Sequence, residues 1–272
     1  MEQVFRRHGA ASLASDPLQF PRRFADPADQ EVAAFLAASL AFGNARSIVT
    51  SLERVFRWTG PRPARFVSAL AEAPDFTSLD GFRHRWIRGR DVVTLGRAIG
   101  RLLARHGSLQ RAFATGIAGR EADRDLAGAI ERFRGAAMAC LGRRAGPDPP
   151  WPGPRFFFSS PRTSAAKRTA MFLRWMVRGP DDLDLGLWRC LRPSELVVPL
   201  DVHMFRIARR LRLTSRRTPG WGAALDLTRG LALLDPEDPT KYDFALSRLG
   251  IVEGCPRHAR AAPCELCRIS GS

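Results

Sequence analysis

The chain is 272 residues long and 45% hydrophobic, with 43 basic against 27 acidic residues and a formal net charge of +16. Such a chain can bury one large core or two small ones, which excludes a disordered protein. Its charge favours a polyanionic partner, nucleic acid or an anionic membrane surface. The N-terminal stretch has no apolar signal core, the longest apolar run (Ala33 to Phe42) is too short to cross a bilayer, and five cysteines form an odd set, so neither a membrane-spanning nor a secreted disulfide-framed protein is expected.

In chain order, Asp26 is a helix N-cap with Pro27 at the first helical position, and Val32, Phe35, Leu36 and Leu40 then recur at helical spacing. Gly43 interrupts this pattern. A second helix from about Asn44 to Trp58 carries Ile48, Val49, Leu52, Val55 and Phe56 and is stopped by Gly60-Pro61. Further helical patterns cover Pro63–Ala73, Val92–His106, Leu109–Ala118 and Glu121–Arg143, and no run alternates as a strand would. The predicted class is all-α. Residues 143–154, crowded with proline and glycine, form an irregular connector.

After the connector, Ser159 to Ser164 supply turn and capping residues, and Ala166, Ala170, Leu173 and Val177 mark the buried stripe of a helix ending near Arg178-Gly179-Pro180. Lys167 falls in its first turn. Only two of the 43 basic residues are lysines, Lys167 and Lys241, so each stands where arginine did not replace it. An amine, unlike a guanidinium, can act as a nucleophile and Schiff-base former, and the partial positive charge of a helix start favours its neutral form. The same helix start, with Arg162 and Arg168 beside it, also suits a nucleic-acid phosphate. Farther on, Pro199 ends any earlier helix and Asp201 reads as the N-cap of the next, whose core face is Val202, Phe205, Ala208 and Leu211. A carboxylate there can also accept a proton or stabilise developing positive charge. His203 reads as structural rather than catalytic.

These segments carry a resemblance. Pro199 to Thr214, PLDVHMFRIARRLRLT, resembles the "VDTHVFRVxxRLGL" signature of the helix-hairpin-helix DNA glycosylases, the superfamily of endonuclease III and 8-oxoguanine glycosylase. Ser164 to Leu173 is similar to that superfamily's hairpin and following helix, and Ala33 to Ile48 to its early helix pair. The chain is still more similar, over nearly its whole length, to a bacterial family of uncharacterised function marked by "KRxxMFLRWMVR", "PLDxH" and "DPxKYDFALxxLGI"; all three occur here, at Lys167–Arg178, Pro199–His203 and Asp238–Ile251. The superfamily resemblance implies two helical subdomains with the active-site cleft between them. Residues 1–28 would be an N-terminal segment packing with the C-terminal subdomain, 29–190 a helical-barrel subdomain holding the connector and the hairpin-like segment 159–178, and 191–272 the C-terminal subdomain. It places Lys167 on the catalytic lysine, Asp201 on the catalytic aspartate and Asn44 on a polar wedge, and it puts Arg46, Arg162, Ser164, Arg168, Arg174, His203 and Arg206 at the DNA. Two departures stand out. Ser164-Ala165-Ala166 replaces the hairpin glycines, and the 34-residue interval from Lys167 to Asp201 is widened by Arg178–Glu195.

The implied activity is excision of a damaged base from double-stranded DNA with associated abasic-site lyase chemistry, by a monomeric, cytoplasmic, nucleoid-associated protein with no membrane partner. Fourteen basic and five acidic residues between Arg155 and Arg217 leave a local charge of +9 around the pair. The alternative is a DNA- or RNA-binding protein with a glycosylase-like fold and no catalysis, which would tolerate Lys167→Arg. At the C-terminus, Cys255, Cys264 and Cys267 resemble the iron–sulfur loop of endonuclease III-like enzymes with the fourth cysteine absent, and His258 would complete a Cys₃His zinc set. A metal-free tail, zinc and an incomplete iron–sulfur site stay open for residues 255–267. The chemistry itself requires no cofactor.

Overall fold

A computed structural model describes residues 10–73, 79–117, 125–141 and 156–252. Its helices are α1 (Pro27–Leu40), α2 (Ala45–Thr59), α3 (Pro63–Glu72), α4 (Gly89–His106), α5 (Leu109–Ala114), α6 (Leu126–Cys140), α7 (Lys167–Val177), α8 (Val202–Arg210), α9 (Trp221–Ala232) and α10 (Asp243–Val252), with three short 3₁₀ turns between Ala10 and Arg23 and another at Pro193–Glu195. The fold is all-α. One feature departs from that expectation: β1 (Arg83–His84) and β2 (Ile87–Arg88) pair antiparallel as a hairpin whose two-residue turn is Arg85-Trp86. Strands of two residues are too short for alternation to register in a sequence.

The helix starts follow from local chemistry. Asp26, Asn44, Asp125 and Asp201 each turn a side-chain oxygen onto first-turn amides of α1, α2, α6 and α8, satisfying donors that a helix leaves orphaned. Helix α1 is buried from Glu31 through Leu40 and packs against α3 and α7. Phe35 is its hub, with ring centroids 4.9 Å from Phe172 of α7, 5.5 Å from Phe158 and 6.0 Å from Phe133 of α6. Helices α3 and α4 approach closely because Gly100 has no side chain: a Cβ there would lie 2.0 Å from the Val67 carbonyl oxygen.

Two apolar clusters form among the described residues. The larger joins α1 to α7 and the segment from Leu183 to Leu196; the smaller joins Ala165, Val197, Val198 and Leu200 to α8, α9 and the start of α10. Leu18 and Phe20 are buried in the larger cluster, and the 3₁₀ turns around them touch α1 and α2. The widened interval after α7 also folds inward. Backbone amides of Leu185 and Trp188 donate to the Trp175 and Met176 carbonyls, and the Trp188 indole donates to Glu31 at 2.7 Å. Among the described residues no helix is long and apolar enough to cross a membrane.

Candidate active site

Lys167 is the first residue of α7 and Asp201 is the N-cap of α8, so each helix start delivers one functional group. One Asp201 oxygen, Oδ1, accepts from the His203 and Met204 amides, both at 2.8 Å. The other, Oδ2, lies 3.7 Å from Lys167 Nζ. Capping and pairing therefore use different oxygens, and the cap holds the carboxylate in one orientation toward the amine. Both side chains are partly exposed, at 35% for Lys167 and 23% for Asp201, so a ligand can reach the pair.

The turn before α7 forms without glycine. Thr163 and Ser164 amides donate to the Ser160 carbonyl, the Ser164 hydroxyl donates to it as well, and the Ala166 amide donates to Ser164 Oγ at 3.1 Å. Ala166 then takes a left-handed conformation, φ 47° and ψ 32°, which costs an alanine about 1–2 kcal/mol relative to a right-handed one. Ala165 and Ala166 are buried, and Ala165 joins the turn to the smaller apolar cluster. A left-handed residue therefore precedes α7 although the turn is built from serine and alanine.

The pair opens onto a cleft of about 840 Å³. One wall is aromatic: the Phe42 ring centroid lies 4.8 Å from Phe156 and 5.1 Å from Trp86, and Trp86 is 41% exposed. The floor is ionic. Arg174 bonds Asp184 at 3.0 Å and Asp243 at 2.5 Å, and Arg178 bonds Asp184 at 3.0 Å, Asp181 at 2.5 Å and Asp238 at 2.7 Å. Burial pushes the Asp243 carboxyl up to about 6 against the pull of Arg174, with the Asp201 charge adding to the rise and Lys167 opposing it. Burial also disfavours the Arg174 cation, but Asp184 and Asp243 outweigh it and hold the guanidinium protonated.

Of the residues predicted at the DNA, Asn44, Ser164, Arg168, Arg174 and His203 line the cleft with Lys167 and Asp201. Asn44 caps α2 through its side-chain oxygen, 2.9 Å from the Arg46 amide, and both residues are exposed. Arg162 is exposed and Arg206 half-buried, both outside the cleft lining. Two assignments are corrected. Arg174 is 3% exposed and its guanidinium is engaged by Asp184 and Asp243 rather than presented to solvent. Arg168 turns inward: its guanidinium lies 3.7 Å from the Phe156 ring centroid and donates to the Ser39 and Phe156 carbonyls, and burial brings its pKa down to about 10. Lys241 pairs with Asp235 at 3.5 Å, while the nearby carboxylates Asp238 and Asp243 are engaged by Arg178 and Arg174.

Three residues of the site escaped sequence reasoning: Trp86, Phe156 and Asp243. Asp243 lay in plain view inside Lys241-Tyr242-Asp243-Phe244, where a carboxylate opening an apolar helix reads as an ordinary first-turn acid. Cys255, His258, Cys264 and Cys267 lie outside the described residues. Among the described residues, no cluster of three or more His, Cys, Asp or Glu side chains could hold a metal ion.

A family model described as "Protein of unknown function (DUF2400)" matches residues 16–252, and the chain belongs to that family. No curated protein and no solved structure matches it.

Proposed function

We propose that this DUF2400 family member is a DNA repair glycosylase with abasic-site lyase activity, in which Lys167 is the nucleophile and Asp201 its proton acceptor and electrostatic partner. The observation that carries the reading is the convergence of two helix starts on one cleft, with Asp201 Oδ2 3.7 Å from Lys167 Nζ while its other oxygen is held by the α8 amides. In this reading the two apolar clusters are the subdomains of a helix-hairpin-helix glycosylase, and the cleft receives a nucleotide turned out of the duplex.

The steps follow from the groups present. Asp201 takes a proton from Lys167, and the neutral amine attacks C1′ of the sugar as the glycosidic bond breaks. The base leaves with the electron pair of that bond and gains a proton from solvent. The nitrogen, now bonded to C1′, loses a proton to water, and its electron pair expels the ring oxygen, which takes the proton held by Asp201, giving a protonated imine between Lys167 and C1′. Loss of a C2′ proton expels the 3′ phosphate, and water releases the lysine. Asp201 also faces the positive charge that develops at C1′ as the base departs. Exposed Arg46 and Arg162 are available to phosphates, so binding should weaken steeply with salt.

Borohydride trapping tests this, since reduction turns the imine into a stable amine. Duplexes carrying abasic, uracil, oxidised or alkylated sites are incubated with wild type, Lys167→Gln and Asp201→Asn. The expected result is a covalent adduct with wild type on at least one duplex, none with Lys167→Gln, and a strong loss with Asp201→Asn. Excision without trapping would make water the nucleophile. Neither excision nor trapping on the whole panel would overturn the glycosylase reading in favour of a binding protein.

A further inference from the structure

We propose that the hairpin Arg83–Arg88 is a second DNA-contacting element, in which Trp86 stacks on an unpaired base at the cleft mouth and the arginines beside it contact the backbone. The inference rests on reading the cleft as a DNA site.

Trp86 is one of four large hydrophobic side chains exposed among the described residues, and unlike Leu233 and Leu234 it lines the cleft. It sits at the tip of the hairpin, after Arg85, which holds a left-handed φ of 55°. Arg83, Arg85, Arg88 and Arg90 are all exposed, while His84, Ile87 and Asp91 point into the protein. The hairpin therefore presents cations and one indole to solvent, the combination that binds nucleic acid by phosphate contact and base stacking. An apolar protein partner would not match such a cationic rim.

The tip is held in position from behind. His84 is 2% exposed; its Nδ1 lies 2.9 Å from Ser51 Oγ on α2 and its Nε2 3.0 Å from the Phe42 carbonyl oxygen. Burial keeps the ring below its ordinary pKa and therefore neutral. Gly43 lets the tip approach: with φ +101°, it would put a Cβ 3.1 Å from the Arg85 side chain if it carried one. Trp86 then packs its ring against Phe42, while Arg85 lies 5.2 Å from the indole centroid. An aromatic already fixed by its neighbours loses little freedom on stacking. Asn44, the wedge expected from resemblance, adjoins this tip, but its side-chain oxygen is engaged by the Arg46 amide.

The test is equilibrium binding to two duplexes, one fully paired and one with 2-aminopurine opposite a tetrahydrofuran abasic site, using Trp86→Ala, Trp86→Phe and Arg83→Gln/Arg88→Gln. Wild type should change 2-aminopurine emission, which reports stacking. Trp86→Ala should abolish that change and weaken the abasic duplex about tenfold, with under a twofold effect on the paired duplex, and Trp86→Phe should restore most of both. The double arginine variant should weaken both duplexes and reduce the slope of log K against log salt by about 2. Each substituted side chain is exposed, so thermal midpoints near wild type verify the fold. If Trp86→Ala gives wild-type emission and affinity while Lys167 still traps, the stacking proposal falls and the glycosylase reading stands. An equal loss on both duplexes with unchanged emission would also overturn it. No binding to either duplex by wild type would overturn both.

Discussion

Glu31 and Asp243 are carboxylates sunk to 5% exposure in the same protein, and their surroundings are opposite. Glu31, on α1, is closed by neutral donors: the Leu109 and Gln110 amides at the start of α5, both at 2.8 Å, and the Trp188 indole at 2.7 Å. It braces α5 and the folded-in segment after α7 against the central helix. Asp243, at the start of α10, meets a guanidinium in a cluster of two arginines and four carboxylates, and it lines the cleft below Lys167 and Asp201. Both carboxyls are raised by burial, yet only that of Asp243 faces groups that could use its proton. A buried acid satisfied by amides is a brace. One in an over-negative ion cluster beside a cleft keeps a protonation change in reserve near neutral pH.

The largest expected effect breaks the ionic side of this contrast. Arg174→Met should cost about 3–5 kcal/mol in urea denaturation, because Asp184 and Asp243 are left buried around a lost cation. A cost below about 1 kcal/mol would mean that the cluster is wet and the carboxylates are solvated. Glu31→Gln probes the neutral side. The amide retains one oxygen for the α5 start but turns an NH₂ toward another donor, so a loss of about 1–3 kcal/mol is expected in the same measurement.

A smaller effect separates the two carboxylates by pH. The Asp243 carboxyl titrates at about 6 in the folded chain and near its ordinary value of about 3.9 when unfolded. Between those values the folded state holds a proton that the unfolded state releases. Its contribution to stability is therefore fully present below about pH 4 and is lost as pH rises through 6. Unfolding free energy should rise by about 1–3 kcal/mol as pH falls from 7 toward 4.5, and Asp243→Asn should flatten that rise while changing stability by less than about 1 kcal/mol at pH 5. Retention of the full slope in the variant would assign the titration to Asp184 or Glu31, which burial also raises.

Sequence reading reached what local chemistry controls. Asp26 and Asp201 cap the helices they were expected to cap, because a side chain two or three residues from its amides needs no distant partner, and Asn44, expected as a wedge, caps α2 by the same local chemistry. Helix α4 begins at Gly89 rather than at Val92, since Asp91 Oδ2 accepts from the Arg88 amide and extends the start by a turn. What the sequence hid was set by long-range contact. Arg174 looks like any surface arginine until Asp243, 69 residues away, closes on it. Trp86 looks like a stray aromatic until His84 pins the hairpin to α2 and Phe42. The meeting of Lys167 with Asp201 was legible only through motif resemblance, for nothing in the spacing alone brings two helix starts together.

The least disruptive substitution distinguishes the lysines themselves. Lys167→Arg preserves a cation within reach of Asp201 Oδ2 at a half-exposed position, and Lys241→Arg does the same opposite Asp235, so each should shift stability by less than about 0.5 kcal/mol. Their chemistry should diverge completely. A guanidinium at position 167 keeps charge, pairing and backbone attraction but has no accessible neutral nitrogen to form an imine. Trapping should vanish with Lys167→Arg and remain at wild-type level with Lys241→Arg, while both variants bind duplex DNA with the wild-type salt slope. Persistence of the adduct in Lys167→Arg would move the nucleophile off the α7 start. Equal loss in both would assign the scarcity of lysine to folding rather than to the reaction.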